Sequence, residues 1–204
     1  AADYSDQFKR SDYRPGSSLT AAKDFNRVWL ARRVEIQNLR KDYLQNKNLN
    51  EPVPYDLLTW PGRGNPQLKY NLDFTPVETD PDLFPAPFVD ANHDDRYNVY
   101  DGDYPAIKGD QMVWSAFTDS SAHSRTYGKS LLVDLQVSAY TYDCLQNPLI
   151  DQSLFVEYEL INRSENAYSE AYAGFFADPD LGCYLDDYIG SIPQVDAWYV
   201  HNQN

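Results

Sequence analysis

The sequence predicts a mainly β chain: an antiparallel β-sandwich with one long N-terminal amphipathic helix and long structured loops. Three observations carry this reading. Apolar residues recur at three- and four-residue steps near the N-terminus, prolines and glycines punctuate the middle, and the final third alternates with period two.

Residues 1–18 read as an extended arm, broken by Pro15, Gly16 and four serines, with Tyr4, Phe8 and Tyr13 as anchors. Residues 19–204 read as a single domain. Phe25, Val28, Trp29, Arg32, Ile36, Leu39 and Tyr43 then fall on one face of a helix, placed over residues 20–46. Its basic residues, Lys23, Arg27, Arg33, Arg40 and Lys41, suit a solvated face or a clasp on acidic neighbours better than a docking face. Pro52, Pro54, Pro61, Gly62, Gly64 and Pro66 disfavour helix and central strand, so the stretch reads as a structured loop anchored by Trp60. Residues 76–110 continue irregularly. A loop so long in a compact domain needs a function or an internal staple.

Leu131–Tyr142, Leu154–Ile161 and Tyr168–Phe176 read as strands, the last two joined in a hairpin through residues 162–166. Met112–Phe117 and Ala197–Val200 are shorter strand candidates. No internal repeat is present.

Composition excludes several classes. The chain has 204 residues and a formal charge of −14, with seventeen Tyr, nine Phe and four Trp. That aromatic content is foreign to disordered chains. The charge disfavours nucleic acid as a partner, and no apolar stretch is long enough for membrane insertion. The charge is also uneven. Residues 1–50 hold ten Lys or Arg against six Asp or Glu, whereas residues 51–204 hold seven against twenty-five. So many carboxylates need bulk water or a bound cation.

The sharpest motif is DANHDDRYNVYD at residues 90–101. Asp90, Asn92, Asp94, Arg96, Asn98 and Asp101 stand at positions one, three, five, seven, nine and twelve. That is the oxygen-ligand rhythm of a calcium loop, with a backbone carbonyl at seven and water often at nine. Ca2+ suits it because this hard cation takes six to eight oxygens at irregular angles, whereas magnesium demands an octahedron. Asp95 stands where the sharp turn ordinarily uses Gly, and Asp101 is shorter than the usual closing Glu. Asp103 is an alternative closing carboxylate. The competing reading is a solvated acidic turn. A second acidic group, Asp178, Asp180, Asp186 and Asp187, surrounds Gly182. It reads either as a further metal site or as capping and turn hydrogen bonds.

Cys144 and Cys183 are the only cysteines, which excludes zinc ribbons and C-x-x-C redox chemistry. They read equally as one disulfide or as two separate thiols. Hydrolase and nucleotide-binding motifs are absent, and His93, His123 and His201 match no triad spacing. The expectation is therefore no enzyme, although a carboxylate pair for glycoside hydrolysis leaves no local signature. The many Tyr and Trp suit core and strand pairing first and sugar stacking second. Asn162-Arg163-Ser164 matches the short glycosylation motif, a weak signal by itself.

These motifs resemble, in order, a module of large proteins exported by the type IX secretion system of Bacteroidota. The marks are Phe25 to Trp29 in a helix, Trp60-Pro61-Gly62-x-Gly64-Asn65-Pro66, and Ala86-Pro87-Phe88-Val89-Asp90-x-Asn92-x-Asp94. They continue with Gly102-Asp103-Tyr104-Pro105, Gly109-Asp110-Gln111, Asn162-Arg163-Ser164, Asp178-x-Asp180-Leu181-Gly182 and Asp186-Asp187-Tyr188-x-Gly190. The family usually has Gly where His93 and Asp95 stand. The resemblance covers roughly residues 20–200 and implies secretion to the cell surface or medium, calcium, and a longer parent protein with a C-terminal sorting domain. It implies no known activity.

The resulting expectation is a secreted, calcium-stabilised structural or adhesive domain. Its partners would be copies of itself or other surface proteins, assembled through the arm into a filament or layer. A carbohydrate-binding adhesin is the alternative, and a secreted glycan-active or other hydrolase the more distant one.

Overall fold

The computed structural model describes residues 12–123, 127–172, 174, 181–183 and 185–202. The chain divides into two compact units, Ala1–Glu165 and Asn166–Asn204.

The first unit is built on one antiparallel sheet. Strand β1 is Arg14–Pro15 and β2 is Trp29–Arg32. Helix α1 covers Arg33–Asn46, and a single turn, α2, covers Tyr55–Leu58. A two-stranded ribbon pairs β3 (Phe88–Val89) with β4 (Tyr104–Pro105). Then β5 (Gln111–Thr118), β6 (Val133–Thr141) and β7 (Phe155–Asn162) form a meander, with the short helix α3 (Pro148–Asp151) between the last two. Strands β1 and β2 share the other edge of β5: β1 pairs Phe117 and Thr118, while β2 pairs Gln111 to Trp114.

The long helix predicted over residues 20–46 is halved. Residues 22–25 form a 3₁₀ turn, and α1 begins only at Arg33. Between them Trp29 and Ala31 are buried while their neighbours are not, a period of two rather than 3.6. Pairing Trp29 with Trp114 and Ala31 with Met112 supplies the backbone bonds that a helix would have made. Val28, which the helical reading turned inward, is 56% exposed. The coincidence of aromatic and apolar spacing is thus overridden by a strand contact far along the chain. Ile36 and Leu39 do lie on the buried face of α1.

The core sits between α1, the proline-rich loop and one sheet face. Trp29, Trp60 and Trp114 are fully buried, with the Trp114 ring centroid 5.8 Å from that of Trp29 and 6.0 Å from that of Trp60. Each such side chain contributes on the order of 2–3 kcal/mol. The indole N–H of Trp29 donates to the Thr59 carbonyl at 2.8 Å, and that of Trp60 to the Pro87 carbonyl at 3.0 Å. Trp60 thereby pins the proline-rich loop, in which the single turn α2 forms between Pro54 and Pro61 where the sequence disfavours a helix.

The architecture is therefore antiparallel and β-rich with few helices. Besides the five-stranded sheet, the first unit holds only the β3–β4 ribbon among its described residues. Residues 12–18 of the expected arm belong to the sheet through β1, and residues 1–11 lie outside the described residues. Of the strand predicted over 168–176, residues 168–172 and 174 are irregular, so the predicted hairpin does not extend β7 through them; its other residues lie outside the described set. The second unit contains a hairpin of β8 (Asp187–Ile192) and β9 (Ala197–Asn202). No described helix is long and apolar enough to cross a membrane.

Candidate metal centre

The acidic loop hangs from the β3–β4 ribbon. Val89 pairs with Tyr104, so the chain leaves the ribbon at Asp90 and re-enters it after Asp103. The two ends of the loop are therefore brought together by strand register. Asp90, Asp94 and Asp103 each offer a carboxylate oxygen, and these oxygens lie within 4.8 Å of one another. Asp103 is the buried member at 2% exposure.

The loop is wound by its own side chains. Asp90 accepts backbone N–H groups from His93 at 2.7 Å, Asp94 at 3.3 Å and Asp95 at 2.8 Å. Asn92 Oδ1 accepts from Asp94 N–H at 3.2 Å, and Asp94 from Arg96 N–H at 2.9 Å. These bonds curl the chain so that alternate residues turn inward. The curl requires left-handed backbone at His93 (φ 63°) and Asp95 (φ 61°). Neither is glycine, so each position carries strain on the order of 1 kcal/mol.

The spacing rule placed Asp101 at the closing position, and the structure brings in Asp103. Asp101 lies in a 3₁₀ turn over residues 99–101 and accepts from the Asn98 side-chain amide at 2.7 Å. Asn98 caps that turn by accepting from Tyr100 N–H at 3.2 Å. The Arg96 guanidinium pairs with Asp82 at 2.9 Å. The group that converges is thus Asp90, Asp94 and Asp103, with Asn92 beside it, its side-chain amide donating a hydrogen bond to Asp94 at 2.9 Å.

Electrostatics separate the members. Burial pushes the Asp103 carboxyl up, and Asp90 and Asp94 add to the rise. Two backbone donors, Ala91 and Asn98, both at 2.8 Å, oppose it without prevailing. Desolvation also works against ionised Asp90, but its three backbone donors outweigh it and hold that carboxyl below its ordinary value. A buried carboxylate facing two others gains from any cation that enters. The donors are all oxygen, the set that hard cations such as calcium take.

A residue the sequence reading passed over fixes this loop to the core. Tyr97 is fully buried; its hydroxyl donates to the Leu57 carbonyl and its backbone N–H to the Arg63 carbonyl, both at 2.6 Å. A Cβ on Gly62 would approach Tyr97 Cβ to 2.7 Å, so the glycine of the Trp60-Pro61-Gly62 stretch makes room for this ring. The acidic run holds two tyrosines, Tyr97 and Tyr100, and nothing in their spacing singles out the buried one. Burial together with nearby Asp103 raises the Tyr97 phenol well above its ordinary value.

The second acidic group is only partly visible. Asp178 and Asp180 lie outside the described residues. Asp187, at the start of β8, accepts from Leu181 N–H at 3.1 Å. Asp186 is half-buried, with one carboxylate oxygen that has no hydrogen-bond partner among the described residues. Cys144 is half-buried and Cys183 exposed; each is a free thiol, and they belong to separate units. Of the histidines, His93 is in the loop, His123 lies 3.6 Å from Asp119 Oδ2, and His201 stacks on Tyr188.

No protein-family model, no curated protein and no solved structure matches this chain.

Proposed function

We propose that the chain is a calcium-stabilised, β-rich domain with a structural or adhesive role in an exported protein of the type IX kind. The observation that carries this reading is the convergence of Asp90, Asp94 and Asp103 to within 4.8 Å, with the buried member raised toward protonation. Calcium would neutralise the three carboxylates and tie both ends of the loop to the ribbon. Through Tyr97 the same ion would stiffen the proline-rich loop beneath. Its role is then to make a long irregular segment behave as a rigid surface outside the cell, where calcium is plentiful. The β-sandwich belongs to this proposal: a second β-layer would close the apolar face of the five-stranded sheet.

Thermal melting with calcium and with a chelator, coupled to metal analysis of the purified protein, tests the reading. Calcium bound to the native state alone raises the melting temperature. Identical melting in both conditions, with no metal retained, would sink it.

One observation favours a second reading, a glycan-binding adhesin. Tyr140 stacks on Phe155 at 5.6 Å and 13°, Tyr142 meets Phe155 edge-on, and the latter two rings are over a third exposed. Such rings suit the apolar faces of sugars. A glycan array that stays blank in calcium would argue against it.

A further inference from the structure

Residues 69–77 form a small hairpin whose apolar side chains face water. Val77 N–H donates to the Lys69 carbonyl at 2.9 Å, Asn71 N–H to the Thr75 carbonyl at 2.8 Å, and Phe74 N–H to the Asn71 carbonyl at 3.0 Å. The buried Asp24 carboxylate fixes both ends, accepting from the Asn71 amide on one side and from Glu78 and Thr79 N–H on the other. On this frame Tyr70, Leu72 and Phe74 are 56, 59 and 87% exposed.

Phe74 is the odd member. Its φ of 63° lies in the left-handed region, which a bulky residue enters only at a cost. Glycine would relieve the backbone, and a polar side chain would suit the solvent. The chain instead holds an aromatic ring in water on a strained backbone. The fold gains little from that ring, so the strain points to a contact outside the chain.

A complementary groove lies on the same unit. Helix α1 and residues 51–54 enclose an open space of about 500 Å³, within the range of ligand-holding clefts. Leu39, Pro52 and Pro54 line it with apolar surface, and Asn38 and Gln45 with amides. Hairpin and groove have no residue in common.

Charge selects a second copy as the occupant. At a formal charge of −14, most surfaces of two copies repel each other. These two differ. At the base of the hairpin, Lys69 has no ion pair among the described residues, whereas Lys23 is paired with Glu78 at 2.7 Å. The Asp73 carboxylate is taken up by the Thr75 N–H and hydroxyl. The groove sets Glu35, Asp42 and Glu51 against Lys41. Glu35 is paired with Arg32 at 3.2 Å, and Asp42 accepts the Asn50 and Glu51 N–H groups. Glu51 has no ion pair among the described residues, so a knob with a basic edge meets a groove with an acidic one.

We propose that the Phe74 hairpin of one copy seats in the α1 groove of the next. Because the two surfaces differ, each joined pair keeps a free hairpin and a free groove, and the contact propagates head to tail. This gives the structural role proposed above a partner and rests on that reading. Neither surface contains a residue of the 90–103 loop, so a failure of calcium binding and a failure of association are separate results.

Three side chains of this size bury on the order of 300–400 Å² on the hairpin side, below a standard interface, so each contact is weak. Sedimentation velocity should find mainly monomer at ~20 μM and a mean mass beyond that of a dimer at ~1 mM. Phe74→Gly removes the ring and suits the backbone, and Asn38→Arg fills and recharges the groove from an exposed helix position. Each should weaken association at least about tenfold, with the melting temperature of Phe74→Gly unchanged or raised. Mixing the two variants should restore a dimer and nothing longer, since one hairpin and one groove remain between them. Monomer at ~1 mM, association untouched by either one of the substitutions, or a mixture that stays monomeric overturns the proposal.

Discussion

Asp24 and Asp103 are both buried to within 2% exposure in the same unit, yet the protein treats them oppositely. Desolvation acts against the charge of each. Around Asp24 it is outweighed by neutral donors: the Thr79 hydroxyl and N–H, both at 2.7 Å, the Asn71 amide at 2.9 Å and the Glu78 N–H at 3.0 Å. That carboxyl is held below its ordinary value. Asp103 has only two donors and faces two other carboxylates, so its carboxyl is raised. The lesson concerns donor count against like charge, not burial. Asp24 is an ionised staple that needs nothing further, whereas Asp103 is left wanting a proton or a cation.

The largest expected effect lies on the self-sufficient side. Asp24→Ala strands several buried donors and should cost about 3–4 kcal/mol, on the order of 10 °C in melting temperature. Calorimetry should find the same loss in calcium and in chelator. A loss that depended on calcium would collapse the distinction between the two sites.

Next comes the cation itself. With calcium near 100 times its dissociation constant, the native state gains about 2.7 kcal/mol, or roughly 5–10 °C, over the chelated protein. Asp94→Ala should remove most of that difference while leaving the chelated melting temperature nearly unchanged, since Asp94 is exposed.

Acid should then separate the two carboxylates by sign. The contribution of Asp24, whose folded value is lowered, is present above the ordinary carboxylate range and is lost as pH falls through the lowered value. Asp103 runs the other way: in chelator its contribution is present below the ordinary value and is lost as pH rises through the raised one. Protons and calcium compete for Asp103, so the calcium increment in melting temperature should shrink steadily between about pH 7 and pH 4. An increment constant across that range would exclude Asp103 as a ligand.

The smallest effect concerns loop strain. His93→Gly and Asp95→Gly each relieve a left-handed backbone and should stabilise the protein by about 0.5–1 kcal/mol, net of the added chain entropy. Chemical denaturation in chelator reads this without the metal. A loss of stability at both positions would mean that their side chains matter more than their backbone.

Much of this was legible from local pattern. The alternation in β5, β6 and β7 announced the meander, because a strand with unlike faces writes its period into the sequence. The spacing of Asp90, Asn92 and Asp94 announced the wound loop, because Asp and Asn bond backbone two to five residues away. The start of α1 was not legible, since Trp29 satisfies a helical spacing and a strand contact equally well, and only Trp114 decides between them. Nor was Asp24, whose donors lie 47 to 55 residues distant. Residues 168–176 show a different failure: their alternation is real, but at its described positions no strand forms.

By itself, the sequence determined everything that depends on near neighbours: the strand periods, the breaks at proline and glycine, the loop that curls on its own carboxylates. Tertiary structure alone decided which carboxylate closes that loop. Asp101 has the right count along the chain, but Asp103 is beside Asp90 in space because the β3–β4 register puts it there. Spacing along a chain governs which bonds a residue can make locally; proximity between distant residues is set by the strands that bring them together.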